Sequence, residues 1–321
     1  MASLTRKWRE YPLMAVTATT VAFAIILIYD RSTSPDRISE KPLLDMDYTQ
    51  IDEDESQSET GLDQFFQEEL LQELEPRHGA PDSAFYNDKL NTLCYSFRDV
   101  CDRVNLVDSF SSRDRYFYTA IPIYLTHYMD RYGDLDYEIE DILHTISISS
   151  DPGRRGYANH DSIIINTSDI DSVREYLEIM THELGHIVDL GSVTGTMRRK
   201  DTTYTEFGQA VFALDDPSLD YYRLSRANET TRNAGQTRDD FCSGYGQRNP
   251  FEDFSECMNL YINHHDLFEY ISSRSRTLER KYTYIKKLFD GFYLYSDTAS
   301  IRQYSHPSDF YVFDTSKVWQ S

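Results

Sequence analysis

The sequence predicts an α+β protein, mostly helical, in which a small sheet packs on one central helix and an apolar membrane helix precedes the domain. Three observations predict it. Apolar residues recur at helical spacing along one side of 173–187 and again after 249, so two amphipathic helices carry the middle of the chain. Short β-branched runs at 141–149 and 162–166 offer strands just ahead of the first of these helices. Tyr11 to Tyr29 is a run of 19 residues without a charge, close to the ~20 that cross a bilayer as a helix.

The elements follow in order. Residues 1–30 are a membrane anchor or a signal segment. Arg6, Lys7 and Arg9 precede the apolar run, which favours a cytoplasmic amino terminus and a carboxy-terminal domain outside the cytoplasm, periplasmic or extracellular. Cleavage after Ala22-Phe23-Ala24 is the alternative and would make the protein secreted. Residues 31–82 read as an acidic linker; 45 to 75 hold 12 acidic side chains and no Lys or Arg. Within it, Phe65, Phe66, Leu70, Leu71 and Leu74 sketch a short amphipathic helix over 62–74, which either covers a cleft as a latency segment or packs elsewhere. Residues 83–321 form the globular domain. In it, 83–107 and 108–132 look largely helical, and Tyr116, Phe117, Tyr118, Tyr124 and Tyr128 read as core. Asp151 to Gly156 is a turn. The stretch from 191 to 240 is a long connection that has the character of a lid, and 257–290 is helical again and basic at Arg280, Lys281, Lys286 and Lys287.

Composition bounds the function. A hydrophobic fraction of 40% with 14% aromatics supports a packed core, and a net charge of −22 excludes a nucleic-acid partner, which needs a basic face. Cys94, Cys101, Cys242 and Cys257 form an even set with three possible pairings. On one continuous helix Cys94 and Cys101 would stand roughly 10 Å apart along the axis, too far for a bridge. Cys257 falls on an apolar stripe and reads as a core thiol.

The chemistry-bearing stretch is His182-Glu183-Leu184-Gly185-His186. Positions i and i+4 share a helix face, so both imidazoles can reach one zinc ion while Glu183 addresses a water beside it. Ser172 and Glu175 form a capping box at the helix start. Val173, Leu177, Met180, Leu184 and Ile187 make its apolar stripe, and Glu175, Glu178, His182, His186 and Asp189 the opposite one, facing a cleft. Downstream, Asn249 is a good N-cap and Pro250 a good first helical residue. The helix they start has Phe254, Cys257, Met258 and Tyr261 on its apolar side and Glu252, Glu256, Asn259 and Asn263 on its polar side. Glu252 reads two ways: a capping-box glutamate three residues after the cap, or a third metal ligand. Glu256, one turn on, is placed to accept a hydrogen bond from the other ring nitrogen of His182. His264 and His265 lie too far along to join the same ion.

These motifs resemble those of gluzincin-type zinc peptidases related to the catalytic domain of anthrax toxin lethal factor, putative zinc-binding metallopeptidases among them. There, an H-E-[FL]-G-H-x-V-D helix is followed by Tyr-Gly-x-x-Asn-x-x-Glu. His182 to Asp189 and Tyr245-Gly246-Gln247-Arg248-Asn249-Pro250-Phe251-Glu252 match position by position. The resemblance covers about residues 160–295. It implies a zincin-like metallopeptidase domain, Glu252 as third zinc ligand, and Tyr245 as a donor to the oxyanion. It also implies that residues 162–166 or their neighbours line the cleft as a sheet edge. The chain has no room for the toxin's receptor-binding and substrate-recognition domains, so the toxin's substrates do not carry over.

The expected function is an exported zinc metalloendopeptidase acting on protein or peptide substrates. His182, His186 and Glu252 would hold one Zn2+, Glu183 would serve as general base, Tyr245 as oxyanion donor and Glu256 as support for a ligand. Two alternatives differ in class: a membrane-tethered interaction module that keeps the fold without catalysis, and a zinc amidase acting on cell-wall peptides.

Overall fold

A computed structural model describes residues 82–206 and 208–295, with Lys41, Pro42 and Leu70. The expected membrane helix, the remainder of the 62–74 segment and the tail from Ser296 lie outside the described residues. Among the described residues, no helix is long and apolar enough to cross a membrane. The architecture is α+β, with about half of the described residues helical and a small mixed sheet.

In chain order, β1 is Lys41–Pro42, α1 Ser83–Ser96, α2 Arg98–Cys101, β2 Val104–Leu106, α3 Ser112–Tyr132, α4 Ile139–Ile142 and β3 Thr145–Ser149. Then come β4 Gly156–Ala158, β5 Ser162–Asn166, α5 Val173–Ile187 and α6 Pro217–Tyr222. α7 Pro250–Asn263, α8 His265–Ser272, α9 Arg276–Leu288 and β6 Phe292–Tyr293 complete it. β1 and β6 form a two-stranded pair, and the main sheet has the order β2-β3-β5-β4. β2, β3 and β5 run parallel; β4 runs antiparallel to β5 at the edge. Ile146 and Ile148 stand beside Ile163 and Ile165 and bury one face of the sheet, while Ile164 points outward.

Several sequence expectations are corrected. The first helical block is not continuous: α1 ends at Ser96, and Phe97, at φ −123° and ψ 51°, turns the chain before α2. That turn brings the Cα atoms of Cys94 and Cys101 to 5.4 Å, and the two are bridged. Residues 104–106, expected to be helical, form a parallel strand on β3, and the short helix α6 falls inside the stretch read as a long connection. β5 is not an edge strand; β4 takes that place.

Helix α5 packs against α7 and also against strands β4 and β5 of the main sheet. The crossing is close because Gly185 has no side chain: a Cβ there would lie 2.9 Å from Ser255 Cα and 2.9 Å from its Oγ. Ser172 caps α5 by accepting from Glu175 N–H at 3.1 Å. The expected reciprocal bond goes one residue further back, to Asp171 N–H at 2.9 Å, and the same carboxylate takes Arg155 at 2.5 Å. Both helices are buried almost throughout, so their polar stripes do not simply face a cleft. Glu178 points inward to His264 Nε2 at 3.2 Å, Asp189 accepts from Tyr222 O–H at 2.5 Å, and Asn263 donates to Thr181 Oγ1 at 3.0 Å.

Candidate metal centre

Three side chains from two helices converge. His182 and His186, one turn apart on α5, place their Nε2 atoms 3.1 Å and 3.4 Å from the same oxygen, Oε2 of Glu252 on α7. All three ligand atoms lie within 4.8 Å of one another. Of the two sequence readings of Glu252, the capping-box bond from its side chain back to the cap backbone is not formed. The Glu252 backbone N–H donates to the cap Asn249 at 2.8 Å, while its carboxylate turns to the histidines. Glu256 Oε1 lies 2.8 Å from His182 Nδ1. A carboxylate only accepts, so Nδ1 donates its proton to Glu256, and Nε2 meets Glu252 through a second proton or, in its place, a cation. Two acceptors 3.1 Å apart repel unless a cation or a proton lies between them.

The electrostatics follow that geometry. Burial opposes a charge on His182, but hydrogen bonds to Glu252 and Glu256 overcome it and raise its pKa well above the usual imidazole value. Burial likewise works to raise Glu252, and the two histidines hold it far below the ordinary carboxylate range. A divalent ion bound by the trio would take the place of that shared proton.

Glu183, next in sequence to His182, is buried, and its Oε2 has no hydrogen-bond partner. Burial raises its pKa, with His182 and His186 pulling the other way. The edge strand presses on it: a Cβ on Gly156 would lie 2.1 Å from Glu183 Oε1. Tyr245 stands across the site, its ring centroid 5.8 Å from that of His182 and its phenol raised to about 12, mainly by burial. The loop carrying it is anchored to α7 by the Cys242–Cys257 disulfide and held by Arg226, which donates to Gln247 O at 2.6 Å. That bridge corrects the expectation of a core thiol at Cys257. Lys281, one of the basic residues noted in the 257–290 helical stretch, is fully buried and meets Asp253 at 2.5 Å.

Arg154 is the site residue that sequence reasoning missed. It projects from the turn before β4 and donates to Tyr245 Oη at 2.8 Å and to Glu252 Oε1 at 3.4 Å. The sequence signalled only a turn there. His264 and His265 stay away from the trio: His264 pairs with Glu178, and His265 stacks on Tyr293 at 3.6 Å. A cavity of about 720 Å³ opens on one side of the centre, lined by His182, Glu183, Tyr245 and Gly156 among others. A second, of about 360 Å³, opens on the other and includes Glu206 and Glu229 from the long connection.

The donor set suits zinc: two neutral imidazole nitrogens and one carboxylate oxygen leave a fourth position open. The second acidic cluster, Cys242, Asp253 and Cys257, does not suit a metal, because both sulfurs are bridged and Asp253 already holds Lys281. No family model matches the chain, and no curated protein or solved structure matches it either.

Proposed function

We propose that the chain is a zinc-dependent endopeptidase with a zincin-like domain of the gluzincin type, similar to the family of the lethal factor catalytic domain. The observation that carries the reading is the meeting of His182, His186 and Glu252 on one point, with a buried, unpartnered Glu183 oxygen next to it. His182, His186 and Glu252 would hold the ion. Zinc, when bound, polarises the scissile carbonyl and acidifies a water. Glu183 supplies the carboxylate that takes a proton and returns it to the leaving nitrogen; its burial, by raising its basicity, suits it to that task.

Tyr245 contributes its phenolic proton to the developing oxyanion. Tyr245 Oη accepts from Arg154 and gives its own proton to Glu252, so the phenol is held beside the centre, where a substrate oxyanion would compete for that proton. Glu256 fixes the tautomer and the plane of His182. Cavities on both sides of the centre favour cutting within a chain over trimming an end. The two disulfides fit an oxidising compartment, in keeping with an exported domain and an amino-terminal membrane segment.

The test pairs zinc stoichiometry of the full chain with a quenched-peptide library, assayed with and without chelator. Glu183→Gln should keep zinc and lose turnover by orders of magnitude. Zinc binding without any peptide turnover would favour a binding module, and turnover of cell-wall fragments alone would favour an amidase.

A further inference from the structure

We infer that Arg248 selects substrates with a carboxylate side chain next to the scissile bond. This specificity rests on the peptidase reading above. Arg248 is exposed on the loop between Cys242 and Asn249, and it lines both cavities, so it stands where the two halves of the cleft meet. Its guanidinium lies 4.4 Å from the centroid of the Tyr245 ring. Among the described residues no carboxylate pairs with it. The other cleft arginines are engaged: Arg155 holds Glu175, and Arg154 holds Tyr245 and Glu252.

In a chain of net charge −22, a guanidinium without an acid at the reaction centre is completed by a carboxylate from the ligand. Stacking on an aromatic face leaves the N–H edge of the fork available for a bidentate carboxylate. The presentation is rigid, since Arg226 and Arg232 both donate to the carbonyl of the preceding Gln247 and the disulfide anchors the loop. Farther out, Asp169 and Asp171 line one cavity and Glu206 and Glu229 the other. At the middle, Glu252 and Glu256 are already engaged by the histidines and Arg154, so Arg248 is where an acidic substrate residue finds a counter-charge, and the acidic linings disfavour that residue elsewhere.

The experiment uses the full chain loaded with zinc and peptides that differ only by Glu, Gln or Lys beside the cleaved bond. Turnover is measured directly, and binding of the same peptides is measured by calorimetry on Glu183→Gln protein. The Glu peptide should lead the Gln peptide by on the order of tenfold in both readouts, the scale of one charge-assisted hydrogen bond. Arg248→Gln should level the series, Arg248→Glu should invert it toward Lys, and Arg248→Lys should keep the preference in weaker form. Zinc stoichiometry and circular dichroism verify each variant. A wild-type protein indifferent to the Glu peptide, or a preference that survives Arg248→Glu, overturns the inference. If no peptide is turned over while Glu-peptide binding still depends on Arg248, the peptidase reading fails and carboxylate selection stands.

Discussion

Replacing Gly156 by alanine separates the chemistry of Glu183 from metal binding. The new Cβ would lie 2.1 Å from Glu183 Oε1, 2.8 Å from its Cδ and 3.0 Å from its Cγ. Ordinary carbon–oxygen contact is about 3.4 Å, so the carboxylate must move by about 1 Å. Gly156 is not among the glycines in the left-handed region, so alanine meets no backbone strain there. What it strikes is the end of a flexible side chain, so the fold should lose less than about 1 kcal/mol. His182 and His186, the proposed ligands, are not what the new Cβ strikes and on that proposal should still bind zinc. A misplacement of about 1 Å at a reacting group costs roughly 100-fold, or about 2.7 kcal/mol of activation free energy. The assay measures kcat/KM on a cleaved peptide beside the zinc-to-protein ratio and the melting temperature. Full activity in a folded, zinc-loaded Gly156→Ala protein would refute the placement of the edge strand against the base. Loss of zinc in place of loss of rate would refute the separation of base from ligands.

Other perturbations probe the frame. Gly185→Ala sets a methyl against Ser255 backbone, which cannot yield, so α5 and α7 should part; we expect about 1–3 kcal/mol of destabilisation and weaker zinc retention against a chelator. Unchanged stability and zinc affinity would contradict the close crossing. Removing the Cys242–Cys257 bridge with a double serine variant opens a loop of 15 residues and should cost about 3 kcal/mol in chemical denaturation, with kcat falling before zinc is lost because Tyr245 rides on that loop. Asp130, which accepts from Ile139 N–H at 2.5 Å, is pushed up to about 7 by burial. The native state then binds its proton more tightly than the unfolded chain, so this group's contribution to stability declines as pH rises from about 4 to about 7 and is flat above. Stability of Asp130→Asn relative to wild type should rise from about pH 4 to about pH 7, by on the order of 1–2 kcal/mol after solvent screening, and level off above, and a parallel pH dependence in the two proteins would exclude the effect.

The part of the site legible in sequence is the part whose geometry is local. A four-residue spacing fixes two imidazoles on one helical face, and Asn249-Pro250 starts the second helix at a register that sets Glu252 and Glu256 one turn apart. The fold class was legible for the same reason, since period and length decide helix or strand within a short window. What escaped depends on partners far along the chain. Arg154 and Gly156 sit in an ordinary turn, and only the pairing of β4 with β5 swings them over Glu183. Phe97 breaks a helix without the glycine or proline that marks most breaks, so the Cys94–Cys101 bridge had no sequence signal. Lys281 falls by spacing on the buried stripe with Leu278, Tyr282 and Ile285, and the partner that lets a lysine sit there, Asp253 at 2.5 Å, is 28 residues earlier in the chain.

The polar stripes show the same division more sharply. Periodicity located Glu178, His182, His186 and Asp189 on one side of α5, but it cannot say whether a polar side meets water or other buried groups. Here it meets buried groups throughout: His264 and Tyr222 take Glu178 and Asp189 inside the protein, while the histidines between them are left for Glu252. Buried acids of this kind cost several kcal/mol unless each has a partner in place. The interior pairs at Glu178 within α5 and at Asp189 just past its end therefore restrict its rotation, since turning the helix would strand both acids. Fixing that rotation also fixes the direction of the two imidazoles, so the acids that shared the polar stripe with the histidines in the sequence are what aim the pair at Glu252.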